Sequence, residues 1–179
     1  MNDTLSELGI IKSDLFFKAV KLTMEFEGHH RLSNIKDDKG GKTKFGISQR
    51  AYPYLDIENL KYQDAVQIYY DDYWKKLDCD AIKDKNLAIN LFDAAINMGR
   101  KNAVKILQKA LFMDKNQIDG FLGPITNKAI KLYYEKHETI VGQFIMFRIL
   151  KYYEIIEKDS SQKIFFRGWV IRTMSLHLI

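Results

Sequence analysis

Ser13-Asp14-Leu15-Phe16-Phe17-Lys18-Ala19-Val20-Lys21-Leu22-Thr23-Met24-Glu25-Phe26-Glu27-Gly28 is the stretch from which the fold is read. Ser13 or Asp14 suits the N-cap of a helix, because a short side-chain oxygen there accepts from the free N–H groups of the first turn. Leu15, Phe16, Ala19, Leu22, Thr23 and Phe26 then recur at three- and four-residue steps, which marks one helical face turned to a core. Gly28 is a natural stop. The helix therefore delivers a carboxyl group, Glu27, at its C-terminal end. Partial burial and the negative end of the helix dipole both penalise the ionised form there, so such a carboxyl keeps its proton nearer to neutral pH than usual.

Downstream the pattern turns polar. Lys36-Asp37-Asp38-Lys39-Gly40-Gly41 reads as a turn and Thr43 to Ile47 as a short extended segment, the one place in the chain suited to a small β-hairpin. Asp38, in a polar loop, stays ionised, and Thr43 brings a hydroxyl close to it. Glycoside cleavage needs an acid to protonate the leaving oxygen and a second carboxylate to activate water or stabilise the sugar cation. Glu27 and Asp38 have the chemistry for these two parts, with Thr43 to hold the attacking water. The plain alternative is that acids at helix ends and in loops serve only solvation. Glu25, two residues from Glu27, points in another direction on a helix and reads as a solvated residue.

The rest of the chain is helical in character. With two prolines and ten glycines in 179 residues, and 46% hydrophobic residues, it has room for long helices around a real core. Lys61 to Leu77 is amphipathic. Leu87 to Met98 is nearly all apolar and reads as the central helix. Asn102 to Phe112 is a further helix, Gly123-Pro124 opens the next by placing proline at its first position, and the pattern stays helical to Asp159. A last short helix is expected over Trp169 to Leu176. The lone Cys79 forms no internal disulfide and reads as a core filler. Met1 to Asp14 has no basic start followed by an apolar run, so it does not read as a signal peptide, and no stretch is apolar for long enough to suggest stable membrane insertion.

A formal charge of +5 suits acidic polymers, among them nucleic acid, anionic lipid surfaces and bacterial wall material. Charge does not choose among these, but no basic stripe or recognition helix stands out, which places nucleic acid last. His29 and His30 lack partners at ligand spacing, so no metal or other cofactor is expected. Gly40-Gly41 lacks the required Lys and Ser/Thr spacing and the preceding apolar strand of a phosphate-cradling loop and reads as a hairpin turn.

The runs Glu27-Gly28-His29-His30-Arg31-Leu32 and Asp38-Lys39-Gly40-Gly41-Lys42-Thr43-Lys44-Phe45-Gly46-Ile47-Ser48 resemble the glycoside hydrolase family 108 muramidases, relatives of the phage lysozymes. The resemblance continues through Ala51-Tyr52-Pro53, Tyr69-Tyr70-Asp71-Asp72-Tyr73-Trp74 and Phe92-Asp93-Ala94-Ala95-Ile96-Asn97-Met98-Gly99. Asp119-Gly120-Phe121-Leu122-Gly123-Pro124-Ile125-Thr126 and Phe166-Arg167-Gly168-Trp169 resemble the peptidoglycan-binding segment that usually follows. In all it spans residues about 16 to 175. It implies a mainly α, lysozyme-like helical fold with one small hairpin after the first long helix. The implied division is a catalytic domain over 12–100 and a helical peptidoglycan-binding segment over 101–179, packed against it.

By the same resemblance Glu27 is the general acid, Asp38 the second carboxylate and Thr43 the water-positioning hydroxyl. His29-His30 departs from the family's usual Gly-Tyr and the interval to the aspartate is slightly longer here, so Asp37 stands beside Asp38 as an alternative partner. Tyr69, Tyr73, Asn97 and Trp169 are the candidate substrate contacts, since aromatic faces suit a pyranose. Core packing is the competing use for the tyrosines and for Trp169, and loop-backbone hydrogen bonds for Asp93 and Asn97, which share a helical face. The implied activity is hydrolysis of the β-1,4 bond between N-acetylmuramic acid and N-acetylglucosamine in bacterial peptidoglycan. The implied setting is a monomeric phage endolysin, made in a bacterial cytoplasm and released to the wall through a holin. The rivals are a lytic transglycosylase, against which Asp38 and Thr43 argue, and a noncatalytic wall-binding protein, against which the presence of Glu27 argues.

Overall fold

In the computed structural model of the protein the described residues are 13–26, 42–136 and 139–176. They form seven α-helices and one two-stranded antiparallel sheet, a mainly α, lysozyme-like fold with a single small hairpin. The chain divides after Trp74 into two compact units, residues 1–74 and 75–179. Among the described residues no helix is long and apolar enough to cross a membrane.

The first described element of the first unit is helix α1, Asp14–Phe26, and Ser13 is its cap: the Ser13 Oγ accepts from the Phe16 N–H at 3.3 Å. Phe16, Ala19, Val20, Thr23 and Met24 form its buried face, while Glu25 and Phe26 are exposed. Strands β1, Thr43–Lys44, and β2, Ile47–Ser48, follow, with Thr43 opposite Ser48 and Lys44 opposite Ile47. Thr43 to Ile47 is therefore not one extended segment. It folds about Phe45 and Gly46, whose φ angles of 53° and 76° are the pair of positive values that a two-residue hairpin turn needs. Gly46 adopts this freely; Phe45 is held there by burial of its ring. The turn expected over Lys36–Gly41 lies outside the described residues.

Lys61 to Leu77 is not one α-helix either. Helix α2, Tyr62–Tyr69, passes into a π-helical turn, Tyr70–Trp74. Tyr69 and Trp74 are five residues apart, a step that leaves side chains about 140° apart on an α-helix, yet both are fully buried. The wider turn reconciles their burial. Around it, the Phe16 ring meets Tyr70 and Trp74 edge-on at 5.2 and 5.4 Å.

The second unit is built on helix α3, Lys85–Met98, in which every residue from Leu87 to Ala95 is buried. Buried on all sides, it is the central helix that its composition suggests. Asp84 caps it, accepting from the N–H groups of Asn86 and Leu87 at 3.0 and 3.1 Å. Helix α4, Arg100–Ala110, packs on α3; after it come α5, Pro124–Glu135, α6, Val141–Lys158, and α7, Lys163–Ser175. Pro124 starts α5 as expected. The last helix starts six residues earlier than Trp169, because Asp159 accepts from the Ser161 N–H and initiates a 3-10 turn, Ser160–Gln162, that runs directly into it. Cys79 is a buried free thiol, and desolvation, with Asp80 and Asp78 nearby, pushes its pKa far up, as suits a core filler.

Candidate active site

Of the three residues expected to carry the chemistry, Thr43 lies among the described residues, whereas Glu27 and Asp38, with Asp37 and the His29-His30 pair, lie outside them. Glu27 immediately follows the last described residue of α1, Phe26. Thr43 opens β1 and is partly exposed.

The hairpin that bears Thr43 is fixed from several sides. The Tyr69 hydroxyl donates to the Phe45 carbonyl oxygen at 2.6 Å in the buried interior. The Phe45 ring packs edge-on against Tyr62 at 5.9 Å. At the open end, Lys42 pairs with Glu58 at 2.6 Å, and the Lys44 Nζ donates to the Glu58 carbonyl oxygen at 2.7 Å. Beyond β2 the Gln49 side-chain amide donates to the carbonyls of Tyr52, Pro53 and Leu55, which folds the loop back beside the hairpin.

Tyr69, expected as a sugar contact, is fully buried. Its ring has no face open to a substrate in this structure, and its hydroxyl positions the hairpin instead. Tyr73 is partly exposed and lies edge-on to Tyr69 at 6.0 Å. Beside it the Tyr52 hydroxyl donates to the Asp72 carboxylate at 2.9 Å. Desolvation, followed by the proximity of Tyr73 and Asp72, drives the Tyr52 pKa well above that of a free phenol, so Tyr52 remains a donor throughout the working pH range.

In the second unit Asn97 and Trp169 are tied to the same tyrosine. The Tyr152 hydroxyl donates to the Asn97 side-chain oxygen at 2.7 Å, and its ring stacks on Trp169 at 4.9 Å, with Phe165 on Trp169 at 6.0 Å. The stack secures α7 on α6 and leaves Trp169 partly exposed. Asp93 is held by two arginines. Its wholly buried carboxylate takes hydrogen bonds from two guanidinium groups, Arg148 at 2.6 Å and Arg172 at 2.8 Å. Desolvation alone raises its pKa, but Arg148 and Arg172 outweigh it and hold the carboxyl below the usual carboxylate range. Arg148 also donates to the Tyr152 hydroxyl, so one network runs from Asp93 through Arg148 and Tyr152 to Asn97. Neither arginine was legible in the sequence: they stand 55 and 79 residues from their partner, on an apolar helix and near the chain's end.

The loop Asp119–Thr126 is organised by one residue, Gln108 of α4. Its amide nitrogen donates to Asp119, to the Phe121 carbonyl and to the Thr126 hydroxyl, and its oxygen accepts from the Gly120 N–H at 2.8 Å.

Residues 20–99 match the family described as "Glycosyl hydrolase 108", and residues 102–174 match that described as "Predicted Peptidoglycan domain". Among solved structures the chain is similar to one titled "Structure of Brucella abortus SagA", with a TM-score of 0.72 and 24% identity over 90% of each chain, a likeness of fold. No curated protein matches it at a significant level.

Proposed function

We propose, from the match of residues 20–99 to the glycosyl hydrolase 108 family and of residues 102–174 to a peptidoglycan domain, that this glycoside hydrolase acting on peptidoglycan cleaves the β-1,4 bond between N-acetylmuramic acid and N-acetylglucosamine. Glu27 protonates the glycosidic oxygen. Asp38, or Asp37 beside it, supplies the second carboxylate and Thr43 orients water. A carboxylate pair set well apart leaves room for that water and inverts the anomeric centre; a closer pair traps or stabilises the sugar. The observation that supports this reading is the hairpin itself: the described helix α1 ends one residue before Glu27, and Thr43 is carried on a turn whose carbonyl is pinned by a buried tyrosine. A hydroxyl that must hold water in a reactive pose needs such a rigid mounting.

Tyr69 serves substrate binding from beneath, through the hairpin, and Tyr73 offers its partly exposed face. Asn97 and Trp169 are the substrate contacts of the other unit. The functional division falls at 12–100 for catalysis and 101–179 for wall binding. The biological setting we propose is a monomeric endolysin, made in a bacterial cytoplasm and admitted to the wall by a holin. Analysis of the ends released from purified Gram-negative sacculi tests the bond. New reducing muramic acid ends are expected, whereas anhydromuramyl ends identify a lytic transglycosylase and reducing glucosamine ends the wrong linkage.

A further inference from the structure

Unit 75–179 contains a cleft of about 460 Å³ whose lining includes Lys76, Arg100, Lys101, Asn102, Gly120 and Phe121. Three of its lining side chains are cationic and none is acidic. Arg100 and Lys101 are exposed and form no ion pair among the described residues. The pair Arg100 and Lys101 is complementary to an anion. The cleft also opens at the start of α4, after Gly99, where no side chain caps the helix, and the helix dipole adds to the field there.

An aromatic ring is fixed at the edge of these charges. Phe121 is 68% exposed, although its backbone is tied at both ends: its N–H donates to Asp119 at 2.8 Å, and its carbonyl accepts from Gln108 at 3.2 Å and Thr126 at 3.3 Å. One side of the ring rests over Gly123, where a Cβ would meet it at 2.7 Å. The neighbouring Gly120, at φ +81°, lies so close to α4 that a Cβ would come within 2.7 Å of the Lys101 carbonyl oxygen. Two glycines thus bring an exposed ring up to a pair of open cations. A large apolar side chain that is both exposed and rigidly mounted is suited to a ligand.

We propose that this cleft grips a muramyl-peptide unit of the wall, with Arg100 and Lys101 on the free carboxylates of the peptide and Phe121 against the pyranose. The inference rests on the peptidoglycan reading above and adds what the second unit recognises. A glycan chain whose lactyl groups are all amide-linked carries no charge, so a cationic cleft distinguishes the acidic peptide from the sugar alone.

The probe is N-acetylmuramyl-L-alanyl-D-glutamate, which contains no glycosidic bond to cut, compared by calorimetric titration of the full-length protein with its diamide and with neutral chitotriose. The free acid is expected to bind best, with affinity falling about tenfold on amidation, on the double reversal R100E/K101E and in high salt. Phe121→Ala weakens the acid and the diamide alike. Both reversed residues are exposed, and circular dichroism establishes that the variant is folded. Equal binding of acid and diamide, or of wild type and folded variant, overturns the cleft. Digestion of sacculi by wild type is followed in parallel: its failure contradicts the hydrolase reading, while the titration still decides the cleft.

Discussion

The Arg148 guanidinium donates to the Asp93 carboxylate at 2.6 Å with both side chains wholly buried, and Arg172 adds a second cation to the same carboxylate. The three residues come from α6, α3 and α7, so one carboxylate fastens two C-terminal helices to the central one. Removing it takes from two buried guanidinium groups the carboxylate they share. Asp93→Ala is expected to lower the unfolding free energy by about 3–5 kcal/mol, read by urea denaturation. A loss under about 1 kcal/mol would mean that water reaches the arginines.

The same carboxylate sets the acid limit. Its folded-state pKa is depressed, so the stability it contributes is present above the unfolded carboxylate range, about 4, and is lost as pH falls through the folded value. Asp56, Asp119 and Glu154 are shifted the same way, chiefly by side-chain hydrogen bonds from Asn59, Gln108 and Lys151. The melting temperature is therefore expected to hold from neutral pH to about 5 and to fall below about 4. Calorimetric scans across this range check it, and a melting temperature that rises on acidification contradicts it.

Gln108 satisfies four groups of the Asp119–Thr126 loop with one side chain. Gln108→Leu keeps the bulk but leaves the Gly120 N–H and the Thr126 hydroxyl without this partner, at a cost of about 1–3 kcal/mol for each group that stays dry. Urea denaturation, with amide exchange at Gly120, is the measurement. Faster exchange at Gly120 than at α4 amides is expected, and unchanged exchange rules out the hub role.

Tyr69→Phe deletes one buried hydrogen bond to the Phe45 carbonyl without opening a cavity. A loss of about 1–2 kcal/mol is expected. If the hairpin positions Thr43 for catalysis, turnover on sacculi falls by about tenfold or more while binding is kept, since small displacements of a reacting group are costly. Retained turnover would detach Thr43 from the chemistry.

How far the sequence carried the account depends on the range of the forces involved. Ser13 at the start of α1, Pro124 at the start of α5 and the apolar run of α3 are local signals, and each was readable because cap, ring geometry and burial act within a few residues. The turn at Phe45-Gly46 was hidden because Phe45 is a poor turn residue by preference, and tertiary contacts such as those with Tyr62 and Tyr69 hold it at positive φ. The π-helical turn at Tyr70–Trp74 likewise serves the burial of two large rings, which local propensity does not encode. The Asp93 network needed partners 55 and 79 residues away. Of the candidate site, the pattern located a hairpin near Thr43 but not its turn, and the roles proposed for Thr43, Glu27 and Asp38 rest on the motif they share with the family.

The most direct test of the central claim compares wild type with Glu27→Gln and Glu25→Gln in the rate of muramic acid reducing-end release from sacculi, each variant first shown to be folded by its melting temperature. Loss of a general acid costs about 10²–10⁴-fold, so Glu27→Gln is expected to fall at least that far, while Glu25→Gln, exposed on α1, stays within about twofold of wild type. Undiminished release by folded Glu27→Gln would contradict the assignment of the general acid and, with it, the mechanism proposed for this hydrolase.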